Sequence, residues 1–190
     1  MRWFPGLLLL LSLPACGSQD SDASRPPAGK AGKASVGAVT KPQLGLDRSH
    51  AGAPAPDVAF EDPDGESASL ADFRGKPLLL NLWATWCAPS IKELPTLDAL
   101  AARERGALQV VTLSQDMEGR EKVETFLAAR KLPNVEPWLD SEMKVMTALG
   151  VPILPTTILY DAEGKEVWRF TGDEDWTSAD VAKLIAEAQR

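Results

Sequence analysis

Histidine is almost missing from this chain, and cysteine is scarce: His50, Cys16 and Cys87 are the whole supply. Zinc, iron–sulfur and haem sites need clustered Cys or His ligands, so this inventory argues against them. Two cysteines do not make a disulfide scaffold. A Ser-His-Asp triad would depend on His50 alone, which lies in a polar N-terminal stretch. No basic surplus exists either. The net charge is −7, which argues against nucleic-acid binding. The chain also lacks an apolar run of the ~20 residues that span a bilayer.

What is there divides the 190 residues into three parts. The first is residues 1–15. Arg2 precedes an apolar run, Leu7 to Leu13, broken only by Ser12, which is the layout of a secretory signal. Leu13-Pro14-Ala15-Cys16 follows and resembles the lipobox of bacterial lipoproteins, in which the cysteine is acylated and becomes the first residue of the mature chain. Pro14 departs from the usual residue there. A lipid on the Cys16 sulfur would leave Cys87 as the one thiol of the mature protein.

Residues 16–52 form the second part. From Gly17 to Gly52 the chain is rich in Gly, Ala, Ser, Pro and Lys and holds no aromatic residue. Such a composition buries too little apolar surface to offset the entropy of ordering, so a flexible tether is expected. Its r.m.s. reach would be roughly 30–36 Å. Five basic and three acidic residues make it weakly basic, which leaves the acidic surplus on the rest. That surplus chiefly serves solubility.

Residues 53–190 are expected to fold as one domain. Strand candidates are Val58–Phe60 and Ser67–Leu70, a hairpin around Asp62-Pro63-Asp64-Gly65. The apolar run Leu78–Trp83 reads as a buried central strand. A helix is expected from Pro89 to Arg105, with Ile91, Leu94, Leu97, Leu100 and Ala101 on one face and a kink at Pro95. Then come a strand at Leu108–Leu113, a helix at Glu121–Arg130, a short strand at Trp138-Leu139 and a helix at Glu142–Leu149. A hairpin of Thr156–Tyr160 and Val167–Thr171 precedes a last helix, Ser178–Gln189, capped by Ser178. The order is that of an α/β domain.

Chemistry concentrates in Trp83-Ala84-Thr85-Trp86-Cys87-Ala88-Pro89-Ser90. Pro89 suits a first helical turn, so Cys87 stands at or just before a helix N-terminus. Free N–H groups and the positive end of the dipole converge at such a place and favour a thiolate.

Trp86-Cys87-Ala88-Pro89-Ser90 resembles the Trp-Cys-x-x-Cys active site of thioredoxin-like proteins. The chain from Ala53 onward is similar to the TlpA/ResA-like group of membrane-anchored thiol–disulfide oxidoreductases. The similarity rests on Leu70–Lys76, Asn81–Cys87, Glu93-Leu94-Pro95 and Gly150-Val151-Pro152-Ile153-Leu154-Pro155-Thr156-Thr157, in that order. It implies a thioredoxin-like fold: a central mixed β-sheet flanked by helices, with a short N-terminal β-hairpin. It implies Pro155 as a cis-proline facing Cys87 and the Leu154 backbone as a contact for an extended client. Trp86, Ala88 and Pro89 would border the same client. Glu93 would lie beneath Cys87, tuning the thiol and relaying protons. No metal or other cofactor is implied.

The departure from the family is Ser90, which stands where the second cysteine resolves the mixed disulfide. Its hydroxyl can still donate a hydrogen bond to the Cys87 thiolate. Three readings are open: a monothiol oxidoreductase whose resolving thiol is external (glutathione or a membrane thiol reductase), a client-holding or chaperone-like module, and a redox-silent relative. The resemblance further implies thiol or disulfide client proteins, a lipid-anchored place on the periplasmic side of a bacterial membrane, and cytochrome c maturation or oxidase assembly as pathways. A peroxiredoxin pattern, Pro-x-x-x-Thr-x-x-Cys, is absent, because Leu80 and Ala84 hold those positions. Copper chaperones of this fold need a second Cys and a His.

Overall fold

The computed structural model describes residues 45–189. The expected leader 1–15, Cys16 and the tether as far as residue 44 lie outside the described residues.

Eight strands form one sheet: β1 (Gly45–Asp47), β2 (Ala59–Glu61), β3 (Ser67–Ser69), β4 (Leu78–Trp83), β5 (Gln109–Ser114), β6 (Trp138–Leu139), β7 (Thr156–Tyr160) and β8 (Glu166–Thr171). Their spatial order is β1-β8-β7-β4-β5-β6-β2-β3. β4, β5 and β6 run parallel, and β7, β8 and β1 continue the sheet antiparallel. The hairpin β2–β3 joins at the far edge, where Glu61 pairs with Leu139. This is the thioredoxin-like mixed sheet that the family resemblance implied.

Alternation along β4 separates two cores. Leu79 and Trp83 face helices α1 (Ala88–Arg103), α2 (Arg120–Arg130) and α4 (Ala179–Ile185), where they meet Leu94, Leu97, Leu100, Val123 and Ile185. Leu78, Leu80 and Leu82 face the other way, with Ile158, Tyr160 and Val145 of α3 (Lys144–Ala148). Asn81, the one polar residue of the run, shares the face of Leu79 and Trp83 and is fully buried among the three-helix core. α1 continues through Pro95.

Three expectations change. The domain begins before residue 53: β1 lines the outer edge of β8, with Leu46 opposite Phe170 and packed on the larger core. Gly52 N–H donates to Glu166 O at 2.7 Å and Glu166 N–H to Ala53 O at 2.8 Å, so residues 45–52 belong to the fold and not to a tether. A three-residue strand with one apolar side chain is too short to show a period. The helix expected from Glu142 shortens to α3, because the Asp140 carboxylate accepts from Lys144 and Val145 N–H at 2.9 Å and starts the helix there. The last helix is α only to Ile185 and tightens into a 3-10 turn over Ala186–Gln189.

Candidate active site

The carboxyl ends of β4 and β5 and the amino end of β7 meet at Cys87. After Trp83 the chain turns, with Cys87 N–H donating to Ala84 O at 3.1 Å. The Cys87 carbonyl then accepts Ile91 N–H at 3.0 Å, the first hydrogen bond of α1, so Cys87 is its N-cap. Ala88 and Pro89 form the exposed first turn. Across from it the Leu154–Pro155 bond is cis, and the Cys87 thiol donates to Leu154 O at 3.5 Å. Cys87 is 9% exposed and free. Trp86 beside it stands in solvent, Leu154 is half-buried and Pro155 is buried.

Ser90 sits one turn into α1, fully buried, and its Oγ has no hydrogen-bond partner. The expected bond from Ser90 to Cys87 is therefore not made in this state. A thiol sulfur is a weak acceptor. The Ser90 hydroxyl is an unused donor one turn beyond Cys87.

Glu93 lies on the buried face of α1 and is 2% exposed. Its Oε1 accepts from Asn81 Nδ2 at 2.7 Å, and its Oε2 from Trp176 Nε1 at 2.8 Å and Glu174 N–H at 3.3 Å. Burial without a cation pushes its pKa up to about 7, against the downward pull of these donors. Lys92, its neighbour in the chain, turns instead to Asp173 at 2.5 Å. Glu93 makes no hydrogen bond to Cys87. A cavity of about 410 Å³ is lined by Lys92, Glu93, Thr96, Asp173, Glu174 and Asp175.

Three polar partners were missed by sequence reasoning. Asn81 also donates to Thr157 Oγ1 at 2.9 Å, while its Oδ1 is buried and unpaired. Turning that amide over would present Oδ1 to the proton of a neutral Glu93. The signal was available: one amide interrupts an apolar strand. Trp176, from the segment before α4, carried no such signal. The third is Asp116, fully buried just beyond β5. It accepts from Thr85 N–H at 2.9 Å, Thr85 Oγ1 at 2.5 Å and Ser114 Oγ at 2.7 Å, which ties the Ala84–Trp86 turn to the end of β5.

Among the described residues no group of three or more His, Cys, Asp and Glu is placed to hold a metal ion. A larger apolar cavity, about 560 Å³, lies at the end of α2 among Leu127, Leu132, Pro133, Val135 and Pro137, and holds none of the residues described above.

Known proteins share this fold. A family model described as Redoxin matches residues 50–185. The thiol-disulfide oxidoreductase ResA of Bacillus anthracis is 32% identical over 130 residues, covering 65% of this chain and 70% of its own. ResA of Bacillus subtilis (strain 168) is 34% identical over 122 residues, 64% of this chain and 67% of its own. Among solved structures, a thiol:disulfide interchange protein DsbE from Chlorobium tepidum superposes with a TM-score of 0.64 at 26% identity, covering 74% of this chain and 98% of its own.

Proposed function

We propose that this chain, which belongs to the redoxin family and is a thiol–disulfide oxidoreductase of the ResA and DsbE type, works through Cys87 alone, with its resolving thiol supplied by another molecule. The observation that carries the reading is Ser90. It is buried one turn beyond Cys87, unpartnered, where a resolving thiol would stand, and Cys87 is the one free cysteine among the described residues.

The Cys87 thiolate attacks one sulfur of a client disulfide. A Cys87–client disulfide forms, the client bond breaks, and the second client sulfur leaves as a thiolate. An external thiol then attacks the mixed disulfide, freeing the client and leaving Cys87 bound to that thiol. A second external thiol releases Cys87 and departs as the oxidised disulfide. The sum is one client disulfide and two external thiols going to one client dithiol and one external disulfide. When the Cys87 proton leaves, the bond to Leu154 O is lost and the sulfur becomes an acceptor for the Ser90 hydroxyl. Glu93, with a pKa near 7, takes up or returns the proton and exchanges it with solvent through its own cavity. Trp86, Ala88, Pro89 and the Leu154–Pro155 backbone border the client.

Export and anchoring belong to the same reading. Residues 1–15 act as the signal, Cys16 carries the lipid, and the segment from Gly17 to residue 44 tethers the domain on the periplasmic side of the membrane. The support is the Leu13-Pro14-Ala15-Cys16 pattern. Among the described residues no helix is long and apolar enough to cross a membrane. The family resemblance suggests cytochrome c maturation or oxidase assembly as the setting.

Turnover tests the mechanism. With glutathione supplied, the protein should reduce a small mixed disulfide catalytically, and Cys87→Ser should abolish this. Stoichiometric adducts without turnover would favour a client-holding module. Failure of Cys87 to react with a disulfide probe at neutral pH would overturn both. Ser90→Cys should add a reductase cycle that closes an internal disulfide.

A further inference from the structure

Among the described residues two large apolar side chains stand well out in solvent: Trp86, 62% exposed, and Met117, 70% exposed. Isolated surface apolar groups are ordinary. These two are not isolated, because the fold brings the loops that carry them together. β4 and β5 are parallel neighbours, with Trp83 opposite Ser114, and Gln115 N–H donates to Trp83 O at 2.8 Å just past the ladder. One residue before each apolar side chain, Thr85 and Asp116 are joined by two hydrogen bonds, at 2.9 and 2.5 Å. Asp116 is fully buried, so the Met117 backbone is fixed while its side chain is not covered.

Sheet order then sets which side of Cys87 each group occupies. β4 lies between β7 and β5. The Leu154 carbonyl, two residues before β7, borders the sulfur on one side. The loop after β5 borders the turn before Cys87 on the other. A client that puts its sulfur on Cys87 and lies across the end of the sheet passes over both.

We propose that Met117 is a specificity-determining client contact: with Trp86 it forms an apolar rim on the β5 side of Cys87, and it favours extended client segments with an apolar side chain next to the reacting cysteine. This rests on the reading that Cys87 exchanges with client disulfides. The occupant follows from the reaction itself, since a polypeptide client held to Cys87 by a mixed disulfide lies across this rim. Methionine suits the task, being unbranched and able to mould to different side chains.

The test compares two oxidised probes on the full chain: a peptide with leucine beside its disulfide-bonded cysteine, and hydroxyethyl disulfide, which has no side chain to place. The readout is the ratio of their second-order rates with Cys87. Met117→Glu should lower the peptide-to-small-disulfide ratio about five- to tenfold, the size expected from losing one partly covered apolar side chain. Met117→Leu should keep the ratio. An unchanged ratio in Met117→Glu, or the same loss in Met117→Leu, overturns the proposal. If the unaltered protein reacts with neither probe, the thiol-exchange reading fails and takes this one with it.

Discussion

Glu93 and Glu166 are buried alike, at 2% and 3% exposure, yet their surroundings differ in kind. Glu166 opens β8, where both its oxygens accept from Arg169 at 2.7 Å. Arg169 also donates to Leu149 O at 3.0 Å. The pair sits at the end of the sheet opposite Cys87, since Glu166 lies across from Tyr160 and Tyr160 from Leu78, the first residue of β4. Glu93 sits toward the other end, held by an amide, an indole and a backbone N–H but by no cation among the described residues. One carboxylate is paired in place. Burial pushes the pKa of the other up to about 7, which is what the proposed proton relay requires. Burial alone does not separate structural from chemical acids; the presence of a counter-ion does.

The largest effect that would sharpen this contrast comes from the frame. Glu166→Gln strands the Arg169 guanidinium and should cost about 3–5 kcal/mol in denaturant unfolding. A loss below about 1 kcal/mol would mean that Arg169 finds another partner and that the pair is not structural.

The chemical acid should show itself through pH. Folding raises the Glu93 pKa from 4.5 to about 7, so the folded protein holds this proton more tightly than the unfolded chain. Its stabilisation is complete below pH 4.5 and is lost as the pH climbs to about 7, a fall of roughly 3 kcal/mol. Glu93→Gln should remove that fall. Unfolding curves at pH 4.5, 6 and 7.5 on both proteins read it directly. Identical slopes would show that Glu93 does not titrate there.

Ser90→Ala should do least to stability, within about 1 kcal/mol, since it deletes a buried hydroxyl that has no partner. It should nonetheless slow alkylation of Cys87 several-fold at neutral pH. If the alkylation rate is unchanged, Ser90 is filler and not a donor held for the thiolate.

Much of this contrast could be read from local patterns, and the missing part has a common character. Ser178 as a helix cap is a three-residue matter, and the structure shows it accepting from Val181 N–H. Asn81 announced itself by interrupting an apolar strand, but its partner could not be named without knowing which helix covers that face. Asp116 reads in sequence as an ordinary loop acid. Only the parallel pairing of β4 with β5 sets it against Thr85. Gly45–Asp47 has the composition of its neighbours toward the N-terminus, and it becomes a strand because β8 offers an open edge.

By itself the sequence determined a cysteine, Cys87, at a helix start, the serine in place of a second cysteine, the buried central strand β4 and the redoxin-like order of elements. Those are properties of residues within one or two turns of each other, where side-chain period and capping act. Tertiary structure alone decided that Trp176 and Glu174 hold Glu93, that no cation among the described residues pairs with it, that Ser90 is left without a partner there and that Met117 stands beside the turn before Cys87. Each depends on contacts between segments far apart in the chain, and their juxtaposition is set by sheet order, which no local pattern encodes.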